Sequence, residues 1–283
     1  MNNRLIKCGI ALFLLAVMII CIMGTWGNVA LQTTEYKIDN ILRLPASFDG
    51  FCIAQISDFH NTVIGNDNKY IIEAVKKSKP DIICFTGDLI DSYHTDIDIS
   101  LKFVYEMVKI APCYYVTGNH EQRISQYPVF KAELINAGVT VLEDDFAYIE
   151  RLNEKIKIIG IDDPSFEAKY NKNAASVVNQ KLAKLNTDED VYTILLSHRP
   201  DLINVYSLYN LDLVLSGHAH GGQFRIPFIG GLYAPQQGLF PKYDAGCFKS
   251  GSTTVVVSRG IGNSVVPLRL NNRPELVLVK LTK

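Results

Sequence analysis

Residues 51–60 read FCIAQISDFH, an apolar run of strand length that breaks into a carboxylate, Asp58, and an imidazole, His60. Outward along the chain the same arrangement returns: DIICFTGD at 81–88, CYYVTGNHE at 113–121, TILLSH at 193–198 and LVLSGHAH at 213–220. Short apolar runs rich in β-branched and aromatic residues and closed by Gly or Ser read as buried strands. Helical patterns near Asn68–Lys77 and Ile99–Val108 fall between the early runs, and strands alternating with helices define an α/β fold. Further strands are expected at Thr140–Leu142, Phe146–Arg151, Lys155–Ile161, Val191–Ser197, Leu211–Ser216, Thr253–Ser258 and Leu276–Leu281, with helices at Pro128–Ala137 and Ala174–Leu185. The stretch Gly221–Gly251 is rich in Gly, Pro and aromatic residues. A loop of that length inside a compact domain is usually functional, so it is a candidate wall of a site.

The chain has 283 residues, 48% of them hydrophobic and 20% charged, with a formal net charge of -1. Such a composition excludes disorder and collagen. It gives no reason to expect the clustered Lys and Arg that displace counterions from nucleic-acid phosphates, so no nucleic-acid partner is expected. Near the start, Cys8–Trp26 carries no charge and is about as long, as a helix, as the hydrocarbon core of a bilayer is thick. Arg4 and Lys7 precede it, and Trp26 closes it where an interfacial aromatic belongs. The expected organisation is a cytoplasmic basic tip over 1–7, a transmembrane signal-anchor helix over 8–26, and a membrane-proximal segment over 27–50 with a strand around Thr34–Leu42. A catalytic domain follows over 51–283, on the extracytoplasmic side of the cell membrane. A cleavable signal peptide and a buried core helix are the competing readings; the missing A-x-A cleavage site favours the anchor. Of the cysteines outside the apolar run, Cys52, Cys84 and Cys113 sit in strand-like stretches and Cys247 stands apart, with no C-x-x-C spacing. They read as core residues, not as a structural metal site.

Strand ends of an open α/β sheet converge on one crevice, which makes Asp58, His60, Asp88, Asn119, His198, His218 and His220 candidates for a single site. Of 6 histidines only His94 lies outside these clusters. Asp58 and His60, like His218 and His220, are two residues apart, which on extended backbone turns both side chains the same way. One strand-end His or Asp is more often a loop cap than a ligand; the joint pattern carries the inference. Carboxylates, imidazoles and one amide oxygen together suit two divalent ions such as Mn²⁺, Fe²⁺ or Zn²⁺, whereas Ca²⁺ or Mg²⁺ would want oxygen almost exclusively.

In their order, D-x-H, G-D, G-N-H-E, an isolated strand-end His and G-H-x-H resemble the calcineurin-like metallophosphoesterase superfamily, essentially from Phe51 to the C-terminus. The resemblance implies a four-layer α/β/β/α sandwich of two mixed sheets. It also implies a first metal held by Asp58, His60 and His220, a second held by Asn119, His198 and His218, and Asp88 bridging both. The reaction implied is hydrolysis of a phosphomonoester, phosphodiester or pyrophosphate by a metal-bridging hydroxide. His120 would bind no metal and would donate a proton to the leaving oxygen or stabilise the transition state; its competing role is a hydrogen bond to a ligand carboxylate. Segments 221–246, 257–264 and 268–276 are similar to a membrane-associated bacterial branch labelled YkuE-like. That similarity implies an envelope enzyme and brings in an alternative substrate class, lipids or lipid-linked sugar nucleotides of the UDP-diacylglucosamine type. Some relatives carry a twin-arginine export signal, from which this N-terminus departs, with Arg4 as its single arginine before the apolar run.

Arg199 and Arg259 are candidate phosphate contacts, because a guanidinium fork matches phosphoryl oxygens; structural ion pairing is the commoner use. Asp162 and Asp163 before Pro164 read as a turn, with an approach to the metals as the rival. Tyr233, Phe240 and Tyr243 are either pocket lining or packing. A non-catalytic scaffold on the same fold would be expected to lose ligands or His120, and none is missing.

Overall fold

The computed structural model describes residues 2–39, 41–170, 173–185, 190–263 and 265–283. It opens with a long helix, α1 (Asn2–Val29), and an edge strand, β1 (Gln32–Ile38). Strands and helices then alternate: β2 (Cys52–Ile56), α2 (Lys69–Ser78), β3 (Ile82–Thr86), α3 (Ile97–Met107), β4 (Cys113–Val116), α4 (Tyr127–Asn136) and β5 (Thr140–Val141). The second half runs through β6 (Asp145–Arg151), β7 (Glu154–Gly160), α5 (Ala174–Leu185), β8 (Thr193–Leu196), the short α6 (Ile203–Tyr206) and β9 (Leu213–Ser216). Two small hairpins follow, β10 (Arg225–Ile226) with β11 (Gly230–Gly231) and β12 (Tyr233–Ala234) with β13 (Gly238–Leu239), and the chain ends on β14 (Gly246–Ser250), β15 (Thr253–Val257) and β16 (Glu275–Leu281).

Among the described residues the longer strands form two six-stranded sheets, in the orders β1-β16-β2-β3-β4-β5 and β14-β15-β9-β8-β7-β6. In the first, β2 to β5 are parallel and β16 runs antiparallel to β2. In the second, β15, β9, β8 and β7 are parallel, with antiparallel edges β14 and β6. Both sheets are mixed. Every residue of β2, β3, β8, β9 and β15 is buried, which explains why these strands read as continuous apolar runs: each is covered on both faces. One apolar cluster lies between the sheets, with Ile53, Ile82 and Val279 meeting Ile158, Ile194 and Leu213. A second lies under α2, α3 and α4, and a third under α5 and α6. Three cores separate four layers, helix, sheet, sheet and helix.

Local chemistry agrees with these elements. The Asp96 side chain accepts from the N–H groups of Asp98 and Ile99 and caps α3, which then buries Leu101, Phe103, Val104 and Met107 at the three- and four-residue spacing of an amphipathic helix. All six cysteines are free, with Cys52, Cys84 and Cys113 buried and Cys247 exposed. Inside the expected loop 221–251 the structure places β14, whose residues alternate between half-buried and exposed; a one-sided edge strand lacks the apolar signal that marks the buried ones. The segment 27–50 is built into the domain: β1 pairs with β16 along its whole length, and Leu44 and Phe48 enter the core between the sheets.

Helix α1 extends beyond the expected 8–26, and its apolar side chains Leu12, Phe13, Leu14 and Ile22 are exposed. Among the described residues no helix is long and apolar enough to cross a membrane. The side chains at 2–5, 16, 19, 20 and 23 within α1 lie outside the described set, and with them the Arg4 side chain on which orientation was read. Replacing Phe48 by Ala is expected to cost about 3–5 kcal/mol, the range for a buried aromatic, in denaturant unfolding; Leu42→Ala, at a fully solvated position, should leave the midpoint unchanged.

Candidate metal centre

The seven candidate ligands all lie just past the carboxyl ends of parallel strands: Asp58 and His60 after β2, Asp88 after β3, Asn119 after β4, His198 after β8, and His218 and His220 after β9. The first sheet supplies four and the second three, all of them buried. Their backbone is not extended. Asp58, His60, Asp88, His218 and His220 have φ of 48°, 49°, 53°, 67° and 48°, a left-handed conformation that costs a non-glycine residue roughly 1–3 kcal/mol. The two-residue spacing therefore does not act as it would on a strand. Asp58 and His60 do face one cluster, but His218 and His220 divide between two.

Those clusters are Asp58, His60 and His220, and Asp88, His198 and His218, each with ligand atoms within 4.8 Å of one another. In the first, His60 Nε2 is 3.2 Å from His220 Nε2, which is 3.2 Å from Asp58 Oδ1. In the second, His218 Nδ1 is 3.1 Å from His198 Nε2, which is 3.1 Å from Asp88 Oδ2. The same Asp88 oxygen is 3.7 Å from His60 Nε2, so one carboxylate touches both groups. Asn119 contributes a buried Oδ1 with no hydrogen-bond partner among the described residues.

Burial sets the protonation of this ring of groups. It pushes His60 and His220 down to about 3, and His218 well below the usual histidine range. Burial opposes charge on His198 as well, yet the Asp88 carboxylate raises it to about 10; in turn His198 overcomes the burial of Asp88 and holds that carboxyl well below its usual range. Neutral imidazoles therefore present lone pairs to one another and to carboxylates at hydrogen-bond distance. Nitrogen and oxygen lone pairs converging in a buried space fit divalent cations of the Mn²⁺, Fe²⁺ or Zn²⁺ kind.

The ligand loops are held by one acid that the sequence reading passed over. Glu121 is fully buried and accepts from the backbone N–H groups of Asp88 at 3.1 Å, Leu89 at 2.7 Å, Ile90 at 3.4 Å and Gly118 at 2.8 Å. Burial and then the nearby Asp88 push its carboxyl up to about 8, against the Gly118 hydrogen bond. Two motif glycines are required by close approach. A Cβ on Gly118 would lie 2.2 Å from Asp88 Oδ1, and one on Gly217 would lie 1.8 Å from Ser57 Oγ.

His120 donates its backbone N–H to Asp88 Oδ1 at 2.8 Å, and its Nδ1 accepts the Ser92 N–H at 3.0 Å. An acceptor Nδ1 leaves the proton on Nε2. Asp91 Oδ1 stands 3.6 Å from the same ring, completing a group of His60, Asp91 and His120. Asp91 was not singled out in the sequence, although G-D-x-x-D contains it.

Both arginine candidates stand beside acids. Arg199 forms a two-point pair with Asp163, Nε to Oδ2 at 2.5 Å and a second nitrogen to Oδ1 at 3.1 Å, and its remaining nitrogen is 3.3 Å from His218 Nε2. The pair answers the question of Asp163, which reaches the centre through Arg199. Arg259 lies 3.7 Å from Glu275 and donates its backbone N–H to the same carboxylate. A cavity of about 230 Å³ opens over the clusters, lined by Asp88, Asn119, His120, His218 and His220, and Arg123 stands in its wall. Among the described residues Arg123 has no ion-pair partner; its position two residues after G-N-H-E was the available signal. From the loop 221–251, Tyr233 and Gln236 line the cavity, whereas Phe240 and Tyr243 do not. Gln236 Oε1 makes a short contact with His218 Nε2.

A two-sheet sandwich whose facing strand ends carry paired carboxylate and imidazole clusters defines a class of metal-dependent hydrolases. The family model for calcineurin-like phosphoesterases matches residues 52–222, and the chain belongs to that family. It is 33% identical over 265 residues to the uncharacterized metallophosphoesterase YkuE of Bacillus subtilis, covering 89% of this chain and 85% of that one. It is 30% identical over 213 residues to the phosphodiesterase YaeI of Escherichia coli, covering 72% of each. Among solved structures, TT1561 of Thermus thermophilus has the same fold, with a TM-score of 0.51 and 14% identity over 75% of this chain and 90% of that one.

Glu121→Ala strands four backbone donors. At about 1–3 kcal/mol for each buried donor left unmet, the variant is expected to unfold at clearly lower denaturant and to bind metal about 10–100-fold more weakly. Titration calorimetry with Mn²⁺ or Zn²⁺ and an unfolding curve check this; parental values in both would exclude the bracing role.

Proposed function

We propose that this chain is a membrane-anchored, dinuclear metal-dependent phosphoesterase that hydrolyses phosphomonoester, phosphodiester or pyrophosphate bonds. The observation that carries it is the Asp88 carboxylate, in reach of His198 from one cluster and His60 from the other. In this reading Asp58, His60 and His220 hold one ion, Asn119, His198 and His218 the other, and Asp88 both. Two such ions supply Lewis acidity and lower the pKa of water to near neutrality. The protein's own groups do the rest. Glu121 and the close-approach glycines fix the ligand loops, His120 offers its Nε2–H to the transition state or leaving oxygen, and Arg123 receives a phosphoryl oxygen. The Arg199–Asp163 pair fixes the far side of His218.

Asp88→Ala and Asn119→Ala are expected to abolish turnover of bis-p-nitrophenyl phosphate with an unchanged far-UV spectrum, and Asp88→Ala to bind fewer metal ions per chain by elemental analysis. Full metal-dependent turnover by Asp88→Ala would sink the mechanism. Arg123→Ala is expected to raise KM with a smaller effect on kcat, the signature of lost phosphate binding.

The uncharged run Cys8–Trp26 within the continuous helix α1 supports anchoring, with the catalytic domain on the extracytoplasmic side. The full chain should stay with membranes after alkaline carbonate washing, and protease added to intact cells should digest the domain. Release by carbonate would remove the anchor from this reading. A second reading of the substrate, a lipid or lipid-linked nucleotide pyrophosphate, is favoured by the apolar part of the cavity wall, Tyr233, Pro235, Val265 and Val266.

A further inference from the structure

A group of exposed apolar side chains lies on the segments 223–240 and 265–266, which also carry part of this cavity's wall. Phe228 is fully exposed, Val265 is 70% and Ile229 65% exposed, and Leu239, Phe240 and Val266 are exposed beside them. Hydrogen bonds join the stretches that carry them. Gln223 donates to the carbonyls of Val266 and Leu268, both at 2.7 Å, Arg225 N to Leu270 O at 3.0 Å, Leu232 N to Phe224 O at 2.8 Å, and Phe240 N to Leu232 O at 2.9 Å. Val265 and Val266 also form part of the cavity wall, so the apolar rim and the candidate metal centre share an edge.

Helix α1 meets the domain at this place. Asn28 donates to Pro267 O at 3.0 Å and accepts from Arg269 N at 2.8 Å. Gly24 packs so closely on Leu268 that an added Cβ would come within 2.5 Å of it, and Arg273 lies 4.8 Å over the Trp26 ring. The exposed apolar flank of α1 therefore runs into the loop that carries Val265 and Val266. Soluble surfaces rarely leave aromatic and aliphatic side chains clustered in this way without a partner, and continuity with an apolar helix makes lipid the partner that fits.

We propose that this rim docks on the bilayer surface, so that the cavity opens at the lipid–water interface and accepts phosphoesters whose apolar chain stays in the membrane. The proposal rests on α1 being the membrane anchor. The chain has one tryptophan, Trp26, which serves as an internal reference. Full-length protein is reconstituted in phosphatidylcholine–phosphatidylglycerol vesicles with brominated acyl chains, as the parent and as Phe228→Trp or Leu152→Trp on a Trp26→Phe background. Leu152 lies in the turn before β7, at the sheet edge opposite the ligands. Bromolipid is expected to quench the tryptophan at 228 much as it quenches native Trp26, and to leave the one at 152 bright. Quenching of Trp26 without quenching at 228 overturns the rim alone; absence of both overturns the rim and the anchor together. A blue-shifted but unquenched emission at 228 with cross-linked dimers would assign the surface to a second copy and overturn the proposal. As a functional check, Phe228→Asp/Ile229→Asp is expected to keep turnover of methyl p-nitrophenyl phosphate in solution and to lose turnover of hexadecyl p-nitrophenyl phosphate in vesicles. Equal retention of both activities, or equal loss, counts against interfacial delivery.

Discussion

The rest of the site depends on one buried charge, the Asp88 carboxylate. A carboxylate removed from water is expensive unless positive charge and donors surround it. In the chain itself that role falls to the His120 N–H on Oδ1 and to His198 beside Oδ2, which accounts for the paired shift, with His198 pushed up and Asp88 held down. The neighbouring imidazoles cannot share the load, because burial keeps His60, His218 and His220 uncharged. Neutral nitrogen donors around a carboxylate held well below its usual range are a set that fits cations. Because the groups touching Asp88 come from both sheets, it is also where the two halves of the sandwich are registered at their functional edge.

Holding this arrangement strains the backbone at five ligands, and the compensation is local. Glu121 gathers the N–H groups of the Asp88 and Asn119 loops on one carboxylate. Asp58 is braced differently, accepting the His218 N–H on both oxygens and the Ser57 hydroxyl at 2.6 Å. Each sheet's ligand loop is therefore hydrogen-bonded to an acid from another loop, and the missing side chains of Gly118 and Gly217 let Asp88 and Asp58 approach. Bracing of this kind restricts the ligand loops, the condition under which binding loses little to reorganisation.

The sequence made the strand-end ligands legible because each follows a strand buried almost throughout, with Tyr114 of β4 half-buried, and near-continuous hydrophobicity ending in Asp, Asn or His is a one-dimensional signal. Spacing alone does not divide His218 from His220, since that is decided by left-handed backbone after β9; the family resemblance, not the two-residue interval, places them in different groups, as the geometry does. Glu121 was visible as the last letter of G-N-H-E, but its work on the Asp88 loop spans the gap between β3 and β4. For Arg199 and Arg259 the sequence left phosphate contact and structural ion pairing open, because Asp163 and Glu275 are distant in sequence and close only in the fold. The edge strands were weakly legible for the opposite reason: β14 alternates half-buried with exposed residues, so its assignment comes from pairing with β15.

Neither Arg199 nor Arg259 lines the cavity, which shapes what its wall can recognise. Arg123 and His120 with its Nε2 proton stand on the wall shared with the G-N-H-E turn, while Tyr233, Pro235, Val265 and Val266 are apolar. Fixed donors and positive charge on one side with desolvated carbon on the other favour a ligand that is itself divided, a phosphate at one end and an apolar body at the other. A fully hydrated phosphate compound would gain little from the apolar wall, and a plain hydrocarbon nothing from Arg123 and the metal ligands. Under the proposed function, that asymmetry would let both ends of the substrate be chosen at once, with the loop 221–251, which carries Tyr233 and Pro235, meeting the body and the strand ends the phosphate.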